Sequence, residues 1–148
     1  MPPLICLIVV TVLCEIVRHL AHPGYVHDFA DSVRLGLAAM FVLTGIAHFN
    51  KMKDDLVRMV PDWIPNPSAA VFVTGIVELA GAGLLLIRGI APYVAAGFVA
   101  FLLAIFPANV KAAQTGAKIG GRKVMGIAPR GLIQLIFIAA CALVATRH

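Results

Sequence analysis

Charged residues are scarce in this chain of 148 residues, since Asp, Glu, Lys and Arg together make up only 13% of it. Soluble domains carry about 25% charged residues and are roughly half apolar, whereas 61% of this chain is hydrophobic. A soluble domain of this length has too little interior to bury so much apolar surface. The composition therefore predicts a single membrane domain over residues 1–148.

Recognisable catalytic and nucleic-acid-binding patterns are also missing. The chain shows no Ser/His/Asp set, HExxH motif or dinucleotide-binding glycine fingerprint. Its three scattered cysteines include no CxxC pair, which is typical of inert packing. The net charge of +5 is not gathered on a basic face with stacking aromatics. We therefore predict no nucleic-acid partner, and whether the chain is an enzyme stays open.

A metal site is not predicted either. Three histidines follow the first apolar segment at short spacing: His19, His22 and His27. Pro23 and Gly24 interrupt any helix across them, and no residues that would orient such ligands are identifiable. No cofactor is evident from the residues themselves.

Five apolar segments are present instead. The last four approach the about 20 residues that a spanning helix needs, and the first is shorter. We predict that the first is a retained helix and not a cleaved signal peptide, because no Lys or Arg precedes it. The predicted fold is an all-α membrane protein, a four-helix transmembrane bundle (residues 33–146) with an additional N-terminal helix (4–17). The segments are Leu4–Val17, Val33–Phe49, Ser68–Ile87, Ile90–Ala108 and Gly131–Ala145.

Two connections between the segments have features of their own. Residues 51–60 place apolar side chains at helical spacing and charges between them, which predicts a short helix in the membrane interface, ended by Pro61. Trp63 behind it suits the headgroup level. Residues 114–130 combine four glycines with basic residues, so we predict a flexible loop near anionic lipid headgroups.

Loop charges predict the orientation. With five crossings, eight Lys and Arg residues fall on the N-terminal side and four fall on the other side, namely Arg18, Arg34, Arg88 and Arg147. The positive-inside rule then places the N-terminus inside. The predicted location is the cytoplasmic (inner) membrane, with several spans and with membrane lipids as partners.

Glu78 is the strongest local indication of a functional site. It lies near the middle of the third segment, where a charged carboxylate costs roughly 3 kcal/mol or more on insertion scales. Thr74 lies one turn before it. His48, Asn109 and Gln134 add one hydrogen-bonding side chain from each of the other core segments. We interpret these five residues as a candidate ligand site, with structural roles for each as the alternative.

Small residues predict close helix packing. Five alanines follow one another at steps of four in the fourth segment, from Ala96 to Ala112. Glycines in the second and third segments would let backbones approach in the same way, as small residues do in lipid. We therefore expect a compact bundle and not a pore. The glycines are Gly36, Gly45, Gly75, Gly81 and Gly83.

Several stretches resemble the DoxX-like family of small multi-pass membrane proteins. They are Thr44–Phe49, Arg58–Pro61 with Trp63–Pro65, Thr74–Gly81 and Phe106–Val110, in the family's order and spacing. The resemblance implies a four-helix membrane bundle and redox work near the quinone pool. The lack of a cysteine pair argues against thiol exchange.

Two functions follow as expectations. The first is a redox-associated protein that binds a quinone or another small lipophile near Glu78, with His48 and Asn109 at the mouth of the pocket. The second is a non-catalytic accessory subunit, assembly factor or chaperone, whose small-residue faces meet a partner membrane subunit or a second copy of the chain. A small proton-coupled carrier ranks last, because no inverted repeat is detectable.

Overall fold

The computed structural model describes residues 2–21, 24–123 and 125–147, so His22 lies outside the described part. Within these residues, six helices and one small hairpin follow each other. Five helices, all except α3, are long and apolar enough to span a membrane, which confirms an all-helical fold of membrane-spanning type. The elements are α1 (Pro2–Ala21), α2 (Phe29–Ala47), α3 (Lys53–Met59), α4 (Pro67–Leu85), α5 (Ala91–Thr115), β1 (Lys118–Ile119), β2 (Arg122–Lys123) and α6 (Ile127–Ala145).

Local capping explains where the helices begin and end. The Asp28 side chain accepts from the backbone N–H of Asp31 at 2.9 Å and so starts α2, four residues earlier than the apolar pattern predicts. Asn66 caps α4 in the same way, with Pro67 in its first turn. Gly116 ends α5 in the left-handed conformation, with φ of 61°. The first helix is also longer than residues 4–17 and runs from Pro2 to Ala21.

The connections differ from their predictions in one respect. The short helix between the second and third apolar segments is confirmed as α3. The stretch predicted as a flexible loop instead holds the end of α5, a two-stranded antiparallel hairpin and the first turn of α6. Gly120 and Gly121, with φ of 57° and 78°, make the tight turn of this hairpin.

Helix α2 is the centre of the bundle. It packs against α1, α4 and α6, and it is the most buried of the five long helices, whereas α1 is the least buried. Its Phe41 ring stacks on the Phe98 ring of α5, with centroids 3.7 Å apart. Leu37 and Met40 complete the buried face of α2 against the neighbouring helices.

Glycines allow α2 and α4 to approach each other closely. A Cβ atom at Gly45 would lie 2.8 Å from the side chain of Leu79, and one at Gly75 would lie 2.6 Å from the Cβ of His48. The predicted close packing is therefore confirmed at these two positions, and also at Gly36 and Gly81, where a Cβ atom would collide with the Thr11 side chain and the Phe98 ring, respectively. It is wrong for Gly83, where a Cβ atom would meet nothing within 4 Å.

The alanine ladder of α5 faces mostly outward. Ala96, Ala100 and Ala104 are exposed, and Ala112 alone is buried. Most of the ladder therefore does not pack inside the bundle. The reason is that Ala95, Phe98 and Leu102 take the buried face of α5.

Arg34 is not a loop residue, as the charge count assumed, but lies inside α2 and is only 3% exposed. Its Nη1 atom donates to the carbonyl oxygens of Leu85 and Leu86, at 2.8 and 3.1 Å, and so caps the C-terminal end of α4. Asp31 pairs with both Arg34 and Arg88. This buried network joins α2 to the turn between α4 and α5.

The two ends of the bundle are therefore chemically distinct. We call the end with this network the Arg34 end. Glu15 of α1 also lies there. It accepts hydrogen bonds from Arg18, one turn on in the same helix, at 2.7 Å and from the Ser32 hydroxyl at 2.6 Å. The opposite end, where α2 and α5 finish and α4 and α6 begin, carries α3 and the hairpin, and we call it the α3 end.

Candidate functional site

Glu78 lies on the buried stripe of α4. The residues of this helix that face the bundle recur at helical spacing, and Glu78 occupies one of their positions between Gly75 and Ala82. Its exposed fraction is 5%. The sequence therefore places a carboxyl group where the pattern otherwise demands a small or apolar side chain.

His48 approaches this carboxyl group from the end of α2. Its Nδ1 atom lies 3.8 Å from the Oε2 atom of Glu78, and the same nitrogen lies 2.9 Å from the backbone oxygen of Thr44. A carbonyl oxygen only accepts, so Nδ1 carries the hydrogen in this contact, and Nε2 of the neutral ring is left as an acceptor. His48 thus caps a carbonyl, as one alternative predicted, and also adjoins Glu78.

The Oε2 atom of Glu78 is buried without a hydrogen-bond partner in the described part of the chain. The hydroxyl of Thr44 also approaches the carboxyl group, although its hydrogen bond goes to the Phe41 carbonyl oxygen at 3.3 Å. Most buried polar atoms have a partner. An unsatisfied carboxyl oxygen inside a helical bundle is therefore available to a further donor or acceptor.

Thr74 does not complete this group. Its hydroxyl donates to the carbonyl oxygens of Ala70 and Val71 in its own helix, at 2.9 and 3.1 Å. This is the usual way in which threonine satisfies itself within a helix. Thr74 therefore shares a helix with Glu78, but its one hydrogen is already in use.

Asn109 and Gln134 form a second polar group between α5 and α6. The Asn109 amide donates to the Gln134 side chain at 3.2 Å, and the Gln134 amide donates to the carbonyl oxygen of Leu102. Arg130, counted above as a loop cation, lies in the first turn of α6 and donates to the Asn109 oxygen. Gln134 thus joins two helices, as one interpretation predicted.

The five candidate residues therefore fall into two groups. His48 and Glu78 adjoin each other, and Asn109 and Gln134 bond to each other. Among the residues that the structure describes, no hydrogen bond or ion pair joins the two groups. Sequence reasoning also missed Thr44 and Arg130. Thr44 could have been predicted from its position one helical turn before His48.

Neither of two clefts that the described residues form is lined by Glu78. One, of about 280 Å³, is an apolar groove between α1, α2 and α6 that includes Leu7, Thr11 and Val33. The other, of about 320 Å³, lies at the α3 end beside Arg58 and Lys118. Residues 2–21, 24–123 and 125–147 contain no group of three His, Cys, Asp or Glu side chains placed to hold a metal ion.

The chain matches a family model. The family model described as a domain of unknown function, DUF8561, matches residues 37–145, which covers α2 from its middle to the end of α6. Searches of curated proteins and of solved structures find no match. Both polar groups lie within the matched range, whereas α1 lies outside it.

Proposed function

The chain belongs to the DUF8561 family, and from its structure we propose that it binds a small lipophilic molecule with a polar head, of the quinone class, at Glu78 and His48. The observation that carries the proposal is the buried Oε2 atom of Glu78, which has no partner within the described residues. Ionisable groups inside membrane spans commonly mark sites of ligand or proton binding.

The chemistry of the pair suits such a head group. A protonated Glu78 donates one hydrogen bond to a quinone carbonyl, and an ionised Glu78 accepts one from a quinol hydroxyl. Nε2 of a neutral His48 accepts from a hydroxyl in the same way. Carboxyl and imidazole groups at one site can also take up and release the protons that accompany quinone reduction. The resemblance of Thr44–Phe49 and Thr74–Gly81 to DoxX-like proteins supports the redox part of this proposal.

Ligand access requires some opening between α2 and α4. The exposed fractions of the His48 and Glu78 side chains are 12% and 6%, so His48 is the more accessible of the two. Residues Phe49 and Asn50, which follow it, leave the helix towards the α3 end. We therefore propose that the head group enters from the α3 end, past the His48 ring.

Quinone binding is tested on protein purified from its own membrane. Its lipids are extracted and analysed for quinones, and binding of an added short-chain quinone is compared for wild type, Glu78→Gln and Glu15→Gln. The control changes another carboxylate in a spanning helix, one that already bonds Arg18 and Ser32. We expect co-purified quinone, at least tenfold weaker binding for Glu78→Gln, and unchanged binding for Glu15→Gln. Absence of quinone, with equal binding by all three proteins, contradicts the proposal.

We propose the cytoplasmic membrane as the location, with the N-terminus and the α3 end inside. The basic residues of α3, the hairpin and their flanks support this orientation through the positive-inside rule. Four of the counted cations lie inside the long helices, Arg18 and Arg34 on one side and Lys111 and Arg130 on the other. Leaving them out takes two cations from each side, so the excess at the α3 end persists.

A second function is favoured by the outer face of α5. Ala96, Gly97, Ala100 and Ala104 are exposed there, and a Cβ atom at Gly97 would meet nothing within 4 Å. Small residues on a lipid-facing stripe permit close approach of another helix. We therefore keep a non-catalytic accessory subunit as the alternative, with a partner membrane protein or a second copy of this chain on that stripe.

The alternative is tested by photo-cross-linking in native membranes. A photoreactive side chain replaces Ala100 on the stripe or, as a control, Phe72 on the exposed face of α4. The accessory function predicts one discrete cross-linked species from position 100 and only lipid adducts from position 72. Lipid adducts from both positions count against it.

A further inference from the structure

The cleft at the α3 end is a candidate binding site separate from Glu78. It is open, has a volume of about 320 Å³ and lies between α3, the end of α5 and strand β1. We define it as the α3–hairpin cleft by its lining residues, which are Asp55, Arg58, Thr115, Ala117 and Lys118. Two cations against one carboxylate give the lining an excess of one positive charge.

Asp55 of α3 holds the hairpin in place by a hydrogen bond. Its Oδ2 atom accepts from the backbone N–H of Gly120 at 2.9 Å, in the turn of the hairpin. The other oxygen, Oδ1, lies 4.0 Å from Nη1 of Arg58. The Asp55 carboxylate thus has a structural role and is partly engaged by these two contacts. Gly116, in the left-handed conformation, sets the direction in which the chain leaves α5.

The two cations are the groups left to recognise a ligand. The side chain of Arg58 is 77% exposed, and its ion pair within the described residues is the long contact to Asp55. Lys118 is exposed and forms no hydrogen bond among the residues described. The Thr115 hydroxyl already donates to the Lys111 carbonyl oxygen at 2.9 Å. A ligand for this cleft therefore needs strong acceptor oxygens and negative charge.

We propose that the α3–hairpin cleft binds the headgroup phosphate of an anionic phospholipid. A phosphate offers its oxygens to guanidinium and ammonium donors together, as charge-assisted hydrogen bonds require. The cleft also lies at the right depth, because it adjoins the end of α5, a helix of membrane-spanning length, and the exposed face of α3. Clusters of Lys and Arg beside spanning helices bind anionic headgroups in this way.

A membrane lipid is favoured over soluble phosphate by this placement. The hairpin follows α5 after only two residues, Gly116 and Ala117, so Lys118 stays near the membrane surface. A lipid phosphate is concentrated and oriented in that layer, whereas a soluble anion is not. The site does not depend on ligand binding at Glu78, since no hydrogen bond or ion pair among the described residues joins a cleft residue to that pair.

The test is a lipid titration followed by native mass spectrometry of the intact protein in detergent. Phosphatidylglycerol and phosphatidylcholine are added to wild type, to Arg58→Ala/Lys118→Ala, and to the control Lys51→Ala/Lys53→Ala. The control removes the same charge from exposed lysines that do not line the cleft. Each cation of the cleft is expected to contribute roughly fivefold to the affinity for an anionic headgroup.

We expect wild type and control to bind phosphatidylglycerol in preference to phosphatidylcholine, and the cleft variant to lose roughly 25-fold in affinity. An equal loss in the control assigns the effect to general surface charge and overturns the proposal, as does an unchanged cleft variant. Full displacement of the lipid by millimolar inorganic phosphate overturns its assignment to a lipid. The single variants Arg58→Gln and Lys118→Gln, each losing about fivefold, serve if the double variant does not fold.

Discussion

Gly75 of α4 and His48 of α2 touch so closely that no side chain fits between them. A Cβ atom at position 75 would lie 2.6 Å from the His48 Cβ and 2.8 Å from the Phe49 ring. This contact fixes the end of α2 against α4. It also holds the His48 ring beside Glu78, which lies one turn after Gly75 in α4. The candidate site therefore depends on a glycine that has no chemistry of its own.

The first prediction concerns this contact. Gly75→Ala should destabilise the protein by about 1 to 3 kcal/mol, because the added methyl group forces the two helices apart. It should also weaken any binding at Glu78. Gly83→Ala, in the same helix, should be neutral, since its Cβ atom meets nothing within 4 Å. Thermal unfolding in one detergent measures both, and equal stability of the two variants refutes this account of the α2–α4 contact.

The second prediction separates a functional from a structural role for Glu78. Because its Oε2 atom has no partner among the described residues, Glu78→Met should unfold at or above the wild-type temperature. Gln134→Met should lose about 1 to 3 kcal/mol, because it leaves the Asn109 amide without its partner and removes the hydrogen bond from Gln134 to the Leu102 carbonyl oxygen. Unfolding in detergent, followed by circular dichroism, compares them. A larger loss for Glu78→Met assigns that residue to structure.

The third prediction concerns the network at the Arg34 end. Arg34→Met removes both hydrogen bonds to the end of α4 and leaves Asp31 with one cationic side chain fewer. Removing one partner of a buried pair costs about 3 to 5 kcal/mol. Arg147→Met, an exposed residue 3.9 Å from Asp28 at the same end, should cost less than about 1 kcal/mol. Wild-type stability of Arg34→Met would show that the network contributes nothing.

The fourth prediction concerns orientation. A cysteine introduced at Gly89, in the exposed turn between α4 and α5, should react with a membrane-impermeant thiol reagent in intact cells. A cysteine at Lys53, at the start of α3, should react only after permeabilisation. The native cysteines, all inside spanning helices, are replaced by alanine as background. The reverse labelling pattern places the α3 end outside.

Apolar length and turn residues were enough to predict the helices. Five segments and one short interfacial helix follow from hydropathy, because each spanning helix satisfies its own backbone and needs no distant partner. The same scale failed at the start of α2. It leaves Asp31 outside the second apolar segment, and the charge count takes Arg34 as a loop cation. The partners that allow their burial, Arg88 and the Leu85 carbonyl, come from more than 50 residues away.

The candidate site was predictable only in part. Glu78 is conspicuous because a carboxylate is costly at that depth, and His48 follows from its place at the end of the facing helix. The separation of Asn109 and Gln134 from that pair was not predictable, because it depends on which faces of α5 and α6 meet. The exposure of Ala100 was not predictable for the same reason, because it depends on which face of α5 is buried. Phe98 and Leu102 occupy that face.

A density map of the protein purified from its own membrane tests the central claim most directly, at a resolution that shows bound small molecules. We expect non-protein density within hydrogen-bond distance of the Glu78 carboxyl group in the wild type, and its loss in Glu78→Gln prepared in the same way. A Glu78 carboxyl group whose Oε2 atom is bonded to the chain itself, with no such density, would contradict the account.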